Sequence, residues 1–115
     1  IPDLFAEENR ERLENEILAL KNRAASTSSR SIIASLEGMR QRSGSLDFLM
    51  ETKMPLFFII GRQDSRMPYN KVIAQAMMVH HAEIMLIDGI GHMGFLEAPG
   101  KILPALRDFF RRNGQ

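Results

Sequence analysis

Asp64 and His92 are the two residues of this chain whose types and settings suit chemistry. Asp64 lies in GRQDSRMP, just past the apolar run 56–60 (LFFII), and His92 lies in DGIGHMG, just past a second apolar run at 84–87. A continuous apolar run is the form a strand takes when both its faces are covered. An acid past one strand and a histidine past the next can meet above the ends of neighbouring parallel strands, where α/β sheets place reactive groups. A hydroxyl is a poor nucleophile until a base takes its proton, and imidazole is the base that titrates near neutrality. A carboxylate on the other ring nitrogen fixes the tautomer and stabilises the imidazolium that forms. Taken singly, His92 would read as a loop histidine satisfying backbone carbonyls and Asp64 as a turn or N-cap acid before Pro68. Their pairing favours base and acid.

Other residues around the pair have weaker claims. Gly89, Gly91 and Gly94 flank His92 and are expected to give its loop backbone angles that a side chain would forbid. Met93, Phe95 and Met67 are expected to line an apolar substrate pocket, although methionine, of which the chain has 8, often fills cores instead. Asp88 is a rival acid, but it shares the histidine's loop and reads as a strand end. Glu97 reads as structural, at the start of the last helix where a carboxylate suits the positive end of the dipole.

The elements that would position Asp64 and His92 form a strand–helix–strand unit, whose strands should be parallel with a right-handed crossover. Pro55 opens the first strand. Pro68 is placed as the first residue of a helix running to about Val79, with Val72, Ile73, Ala76 and Met77 as its apolar stripe. His80 and His81 mark its end; adjacent histidines on a helix cannot share one metal, so no metal site is expected there. After His92 a last helix buries Ile102, Leu106, Phe109 and Phe110. It is expected to begin late, near Lys101 or Ile102, because Pro104 lacks the N–H that would bond back to Gly100. Upstream, Leu13, Ile17, Leu20 and Ala24 recur at helical spacing over residues 7–23, followed by a small, polar loop at 24–31. A second helix runs over residues 29–39 with Ile32, Leu36 and Met39 on one face, and residues 46–50 add one further turn. Arg40 and Arg42 could bind a carboxylate substrate but read rather as ion-pairing residues that fix the junction near residues 43–52. The hydroxyls at 26–29 sit on no strand-to-helix elbow and read as caps.

GRQD and GIGHMGFLEAP resemble the acid-bearing turn and the histidine loop of the α/β-hydrolases, whose chain order is nucleophile, acid, histidine. LEGMRQR (residues 36–42) resembles the segment that precedes the acid strand in cap-bearing members. The resemblance implies a C-terminal fragment of an α/β-hydrolase fold: two parallel strands with flanking helices, preceded by helices derived from a cap. Residues 1–45 would be the end of the cap, and residues 46–115 the C-terminal βαβα part of the core. The function implied is a hydrolase with a nucleophile–histidine–acid triad, most simply a serine enzyme acting on an ester, lactone or related bond. Asp64 and His92 would be its acid and base, and a small molecule its substrate. The chain holds no G-x-S-x-G or other nucleophile elbow, so by itself it is expected to be inactive. The alternative is a non-catalytic α/β interaction or assembly module of hydrolase-like shape.

Composition narrows the classes further. The 15 basic and 14 acidic residues give a net charge of +1 and are interleaved, as in ENRERLENE, so nothing suggests a nucleic-acid partner. The chain contains no cysteine, which excludes disulfides and thiolate metal sites and fits a cytoplasmic protein. No stretch approaches the ~20 apolar residues of a membrane helix. GIGHMG (residues 89–94) spells G-x-G-x-x-G, but no further strand follows it to complete a βαβ unit, so it is not read as a nucleotide site and no cofactor is implied. Two strands with helices make a poor independent sheet. The chain alone is therefore expected to self-associate through an exposed strand edge or its helices.

Overall fold

The computed structural model describes residues 1–114. Strand β1 (Leu56–Gly61) pairs with β2 (Ala82–Ile87) in parallel, in a register running from Leu56 opposite Ala82 to Gly61 opposite Ile87. Helix α4 (Tyr69–Met77) connects the two strands and packs against both. Beyond β2 come the short α5 (Gly94–Glu97) and the final α6 (Pro99–Arg112). Upstream lie two 3-10 turns (Pro2–Leu4, Glu7–Asn9), α1 (Glu14–Ser26), α2 (Ser29–Gln41) and α3 (Leu46–Glu51).

The core has two centres. Ile87, Ile90 and Ile102 form one, with Ile59, Met85, Ala98 and Leu106 against them, so α6 covers one face of the sheet. Phe57 stacks on Phe109 at 5.2 Å between ring centroids on that same face. Phe5, Leu13 and Ile17 form the second centre, joined by Leu20, Met93 and Leu96. It ties α1 and the residues before it to the loop that carries His92.

Several boundaries differ from the expected ones, for local reasons. The first helix begins at Glu14 because residues 7–9 form a tighter turn, and it runs on through Ser26. The polar loop shrinks to Thr27 and Ser28, and the Ser28 hydroxyl caps α2 by accepting from the Ser31 N–H at 3.1 Å. Pro68 is the N-cap of α4 rather than its first residue, with an extended ψ of 130°. Of the stripe expected on α4, Ala76 is buried but Met77 is exposed, and Val79 beyond the helix is buried as well. The last helix starts early, at Pro99, because the N–H groups of Lys101 and Ile102 both close on the Ala98 carbonyl. Pro104 is thus an interior residue, and α6 gives up one backbone bond. Phe110 lies on its exposed side, edge-on to Phe109.

Candidate active site

Gly61 ends β1 and the chain turns at once: the Asp64 N–H donates to the Gly61 carbonyl at 3.2 Å. The acid turn is held to the histidine loop by backbone bonds, from the Arg62 N–H to Ile87 and from the Gln63 N–H to Ile90, at 3.0 and 2.9 Å. The two loops touch so closely that a side chain on Gly61 would collide with the Gly91 carbonyl and stand 2.8 Å from that of Ile90. Gly91 is bare for a like reason, lying against the backbone of residues 4–6. Of the three glycines around His92, Gly89 alone needs a left-handed angle, with φ of 75°. For Gly91 and Gly94 the expectation of left-handed angles fails; neighbouring backbone excludes a side chain at Gly91, while Gly94 meets only the flexible ends of Ile90 and Ile102.

The outcome is contact between the two residues singled out first. His92 Nδ1 lies 2.9 Å from Asp64 Oδ2. The other oxygen, Oδ1, accepts the N–H groups of Arg66 (2.8 Å) and Met67 (3.0 Å). The Asp64 side chain is only 10% exposed and that of His92 is 38% exposed. Partial burial pushes the Asp64 carboxyl up, but the bonds from Met67, His92 and Arg66 outweigh it and hold it below its ordinary value. Asp64 is therefore a fixed anion at neutral pH, beside an imidazole whose Nε2 makes no hydrogen bond among the described residues. Asp88 is occupied elsewhere, bonded to the Arg62 guanidinium, which also lies over the Tyr69 ring.

A cleft of about 330 Å³ opens beside the pair, lined by Asp64, Met67, His92 and Phe95 together with the apolar Ile59 and Val72. Met67 and Phe95 thus stand where a pocket was expected. Met93 does not: its side chain packs on the Phe5, Leu13 and Ile17 cluster, on the other side of the loop. Arg40 pairs with Glu37 within α2 rather than across the junction, and Arg42 forms no ion pair among the described residues. Among those residues no group of three or more His, Cys, Asp or Glu could hold a metal ion, and His80 and His81 lie in the turn before β2, His81 with φ of 61°.

The largest surprise is Glu97. It lies in the first turn of the short α5, which it ends, instead of starting the last helix. It is 4% exposed, and its carboxylate accepts four donors. Oε1 takes the Ala6 N–H at 2.7 Å and the Asn9 side-chain amide at 3.0 Å; Oε2 takes the N–H groups of Gly91 at 2.9 Å and Met93 at 3.2 Å. Its carbonyl accepts from Arg12 at 2.8 Å. The sequence signal was an acid inside the apolar FLEAP stretch, but its distant donors left no mark in the local pattern.

No protein-family model and no curated protein matches the chain. Solved structures do. The chain is similar to a thermophilic esterase from Thermogutta terrifontis, determined with malate bound, with a TM-score of 0.91 at 23% identity over 99% of this chain. It is similar also to MGS-M2, an α/β hydrolase enzyme from a Medee basin deep-sea metagenome library, with a TM-score of 0.75 at 19% identity. A third likeness, to the α/β hydrolase MGS-MChE2 from lagoon sediments of Mar Chica, Morocco, covers 63% of this chain and 33% of that one, with a TM-score of 0.57 at 22% identity. The chain spans 42% of the length of each of the first two. With two parallel strands, flanking helices and a superposition on part of the esterase that takes in 99% of this chain, the chain has the fold of part of an α/β hydrolase.

Proposed function

We propose that Asp64 and His92 are the acid and base of a nucleophile–histidine–acid triad, in a hydrolase of which this chain is the C-terminal part. The observation that carries this reading is the 2.9 Å contact of Asp64 Oδ2 with His92 Nδ1 past the ends of adjacent parallel strands. In the intact enzyme a hydroxyl nucleophile gives its proton to His92 Nε2 as its oxygen attacks the substrate carbonyl. Asp64 holds the Nδ1 proton and stabilises the imidazolium; His92 then returns the proton to the leaving group. Water repeats the cycle on the acyl intermediate. Met67 and Phe95 bear on the apolar part of a small ester, lactone or related substrate. Residues 1–45 belong to the end of a cap and residues 46–115 to the core, and the absence of cysteine favours a cytoplasmic setting.

The chain alone lacks a nucleophile elbow and is inactive in this reading. Turnover of an activated ester by the 115-residue chain, lost in His92→Ala, would overturn that. In the intact enzyme, Asp64→Asn lowers kcat by roughly 10⁴-fold, as expected when the acid of a triad can no longer fix its histidine. A fall of less than about tenfold, converted as 1.36 kcal/mol, rejects the assignment.

A second reading, a non-catalytic assembly module, is favoured by one feature: α2 buries none of its residues and leaves Ile33, Leu36 and Met39 exposed. Either reading has the isolated chain self-associating through the edge of β1 or its helices. A folded monomer by light scattering contradicts this.

A further inference from the structure

We infer that Glu97 is a positioning residue for His92, acting with the N-terminal residues 1–12 as a clamp that sets the Asp64–His92 contact. The inference rests on the triad reading above. Three successive N–H groups of the histidine loop are pinned: Gly91 and Met93 to Glu97 Oε2, and His92 itself to the Leu4 carbonyl at 2.7 Å. The other carboxylate oxygen holds Ala6 and Asn9 of the same N-terminal segment, and Asn9 also donates to the Gly89 carbonyl at 2.7 Å. One buried side chain therefore joins the residues on both sides of His92 to a segment remote in sequence.

That segment reaches the acid loop as well. The Ser65 hydroxyl donates to the Asp3 carbonyl at 2.8 Å, and the Arg66 guanidinium bonds the Asp3 carboxylate at 2.8 Å. Residues flanking both Asp64 and His92 are thus tied to residues 3–9, so the separation of acid and base is set by the clamp and not only by the sheet. Glu97 touches neither imidazole nor cleft; it acts through the backbone on either side of the histidine. All its partners are donors, which suits an acceptor-only carboxylate and no other side chain of that size.

The test is NMR of the 115-residue chain and its variants. The hydrogen-bonded imidazole N–H of His92 should give a downfield proton signal that is absent in Asp64→Asn. In Glu97→Ala, where amide dispersion shows a folded chain, that signal should broaden or vanish while Asp64 is intact. The Gly91 and Met93 amides should exchange about tenfold faster or more, the loss expected for one hydrogen bond to a charged group. An unchanged imidazole signal in folded Glu97→Ala overturns the positioning role and leaves the triad reading standing. A signal that persists in Asp64→Asn removes the triad reading and the clamp's purpose with it. Should Glu97→Ala not fold, wild-type exchange decides. The Gly91, Met93 and Ala6 amides should be protected like the β1–β2 ladder, and free-loop exchange at Gly91 and Met93 overturns the inference.

Discussion

Residues 1–17 and α2 carry comparable apolar content, yet they end in opposite surroundings. Phe5 is 1% exposed, and Leu13 and Ile17 are buried with it against the histidine loop. In α2 the side chains at the same kind of spacing, Leu36 and Met39, are 59% and 66% exposed. The difference does not lie in the periodicity of the two segments. It lies in what faces them: residues 1–17 meet Glu97, Leu96 and Met93, whereas α2 and α3 bury no residue at all. An amphipathic pattern shows that a helix has a face to cover, and only the rest of the fold supplies the cover.

The contrast can be broken most severely at Phe5. Phe5→Ala should cost about 3–5 kcal/mol, as for a large side chain removed from a closed core; urea unfolding of the chain measures it. Glu97→Ala follows, at about 3 kcal/mol, because it leaves several buried donors unpaired. Near-wild-type stability of either variant would mean that the N-terminal segment is not seated on the histidine loop. A smaller, pH-dependent effect belongs to Asp64. Its carboxyl lies below the ordinary value of 3.8 in the folded chain, so the stability it contributes is fully present above that value. That share fades as the pH falls through the lower, folded value. Urea midpoints taken from pH 7 downward should therefore drop more steeply for wild type than for Asp64→Asn below about pH 4. Parallel curves would contradict the shift. Least of all should Leu36→Gln matter, within about 0.5 kcal/mol, since the site is exposed and both residues favour helix. A large loss there would show that α2 is covered in solution, sharpening the case for self-association.

Both strands, the connecting helix and the pairing of Asp64 with His92 were legible because local signals marked them: two apolar runs, a proline before a helix, and an acid and a histidine each just past a strand. The clamp was not legible. Glu97 draws two of its four donors from Ala6 and Asn9, 91 and 88 residues away, and no periodicity encodes such a contact. Met93 was misplaced for a related reason, since adjacent loop residues face opposite ways and only the Phe5 cluster decides which one meets the cleft. Pro104 misled in the other direction. A rule that holds for helix interiors gave way because α6 could close its first turn on Ala98 and forgo a single bond.

The claim that Asp64 and His92 serve a nucleophile held elsewhere in a longer protein is tested most directly by the intact mass of the native protein, captured from its source cells with an antibody to this chain. The account predicts a species much heavier than 13.1 kDa whose additional sequence carries a nucleophile elbow. A native species of 13.1 kDa would contradict it.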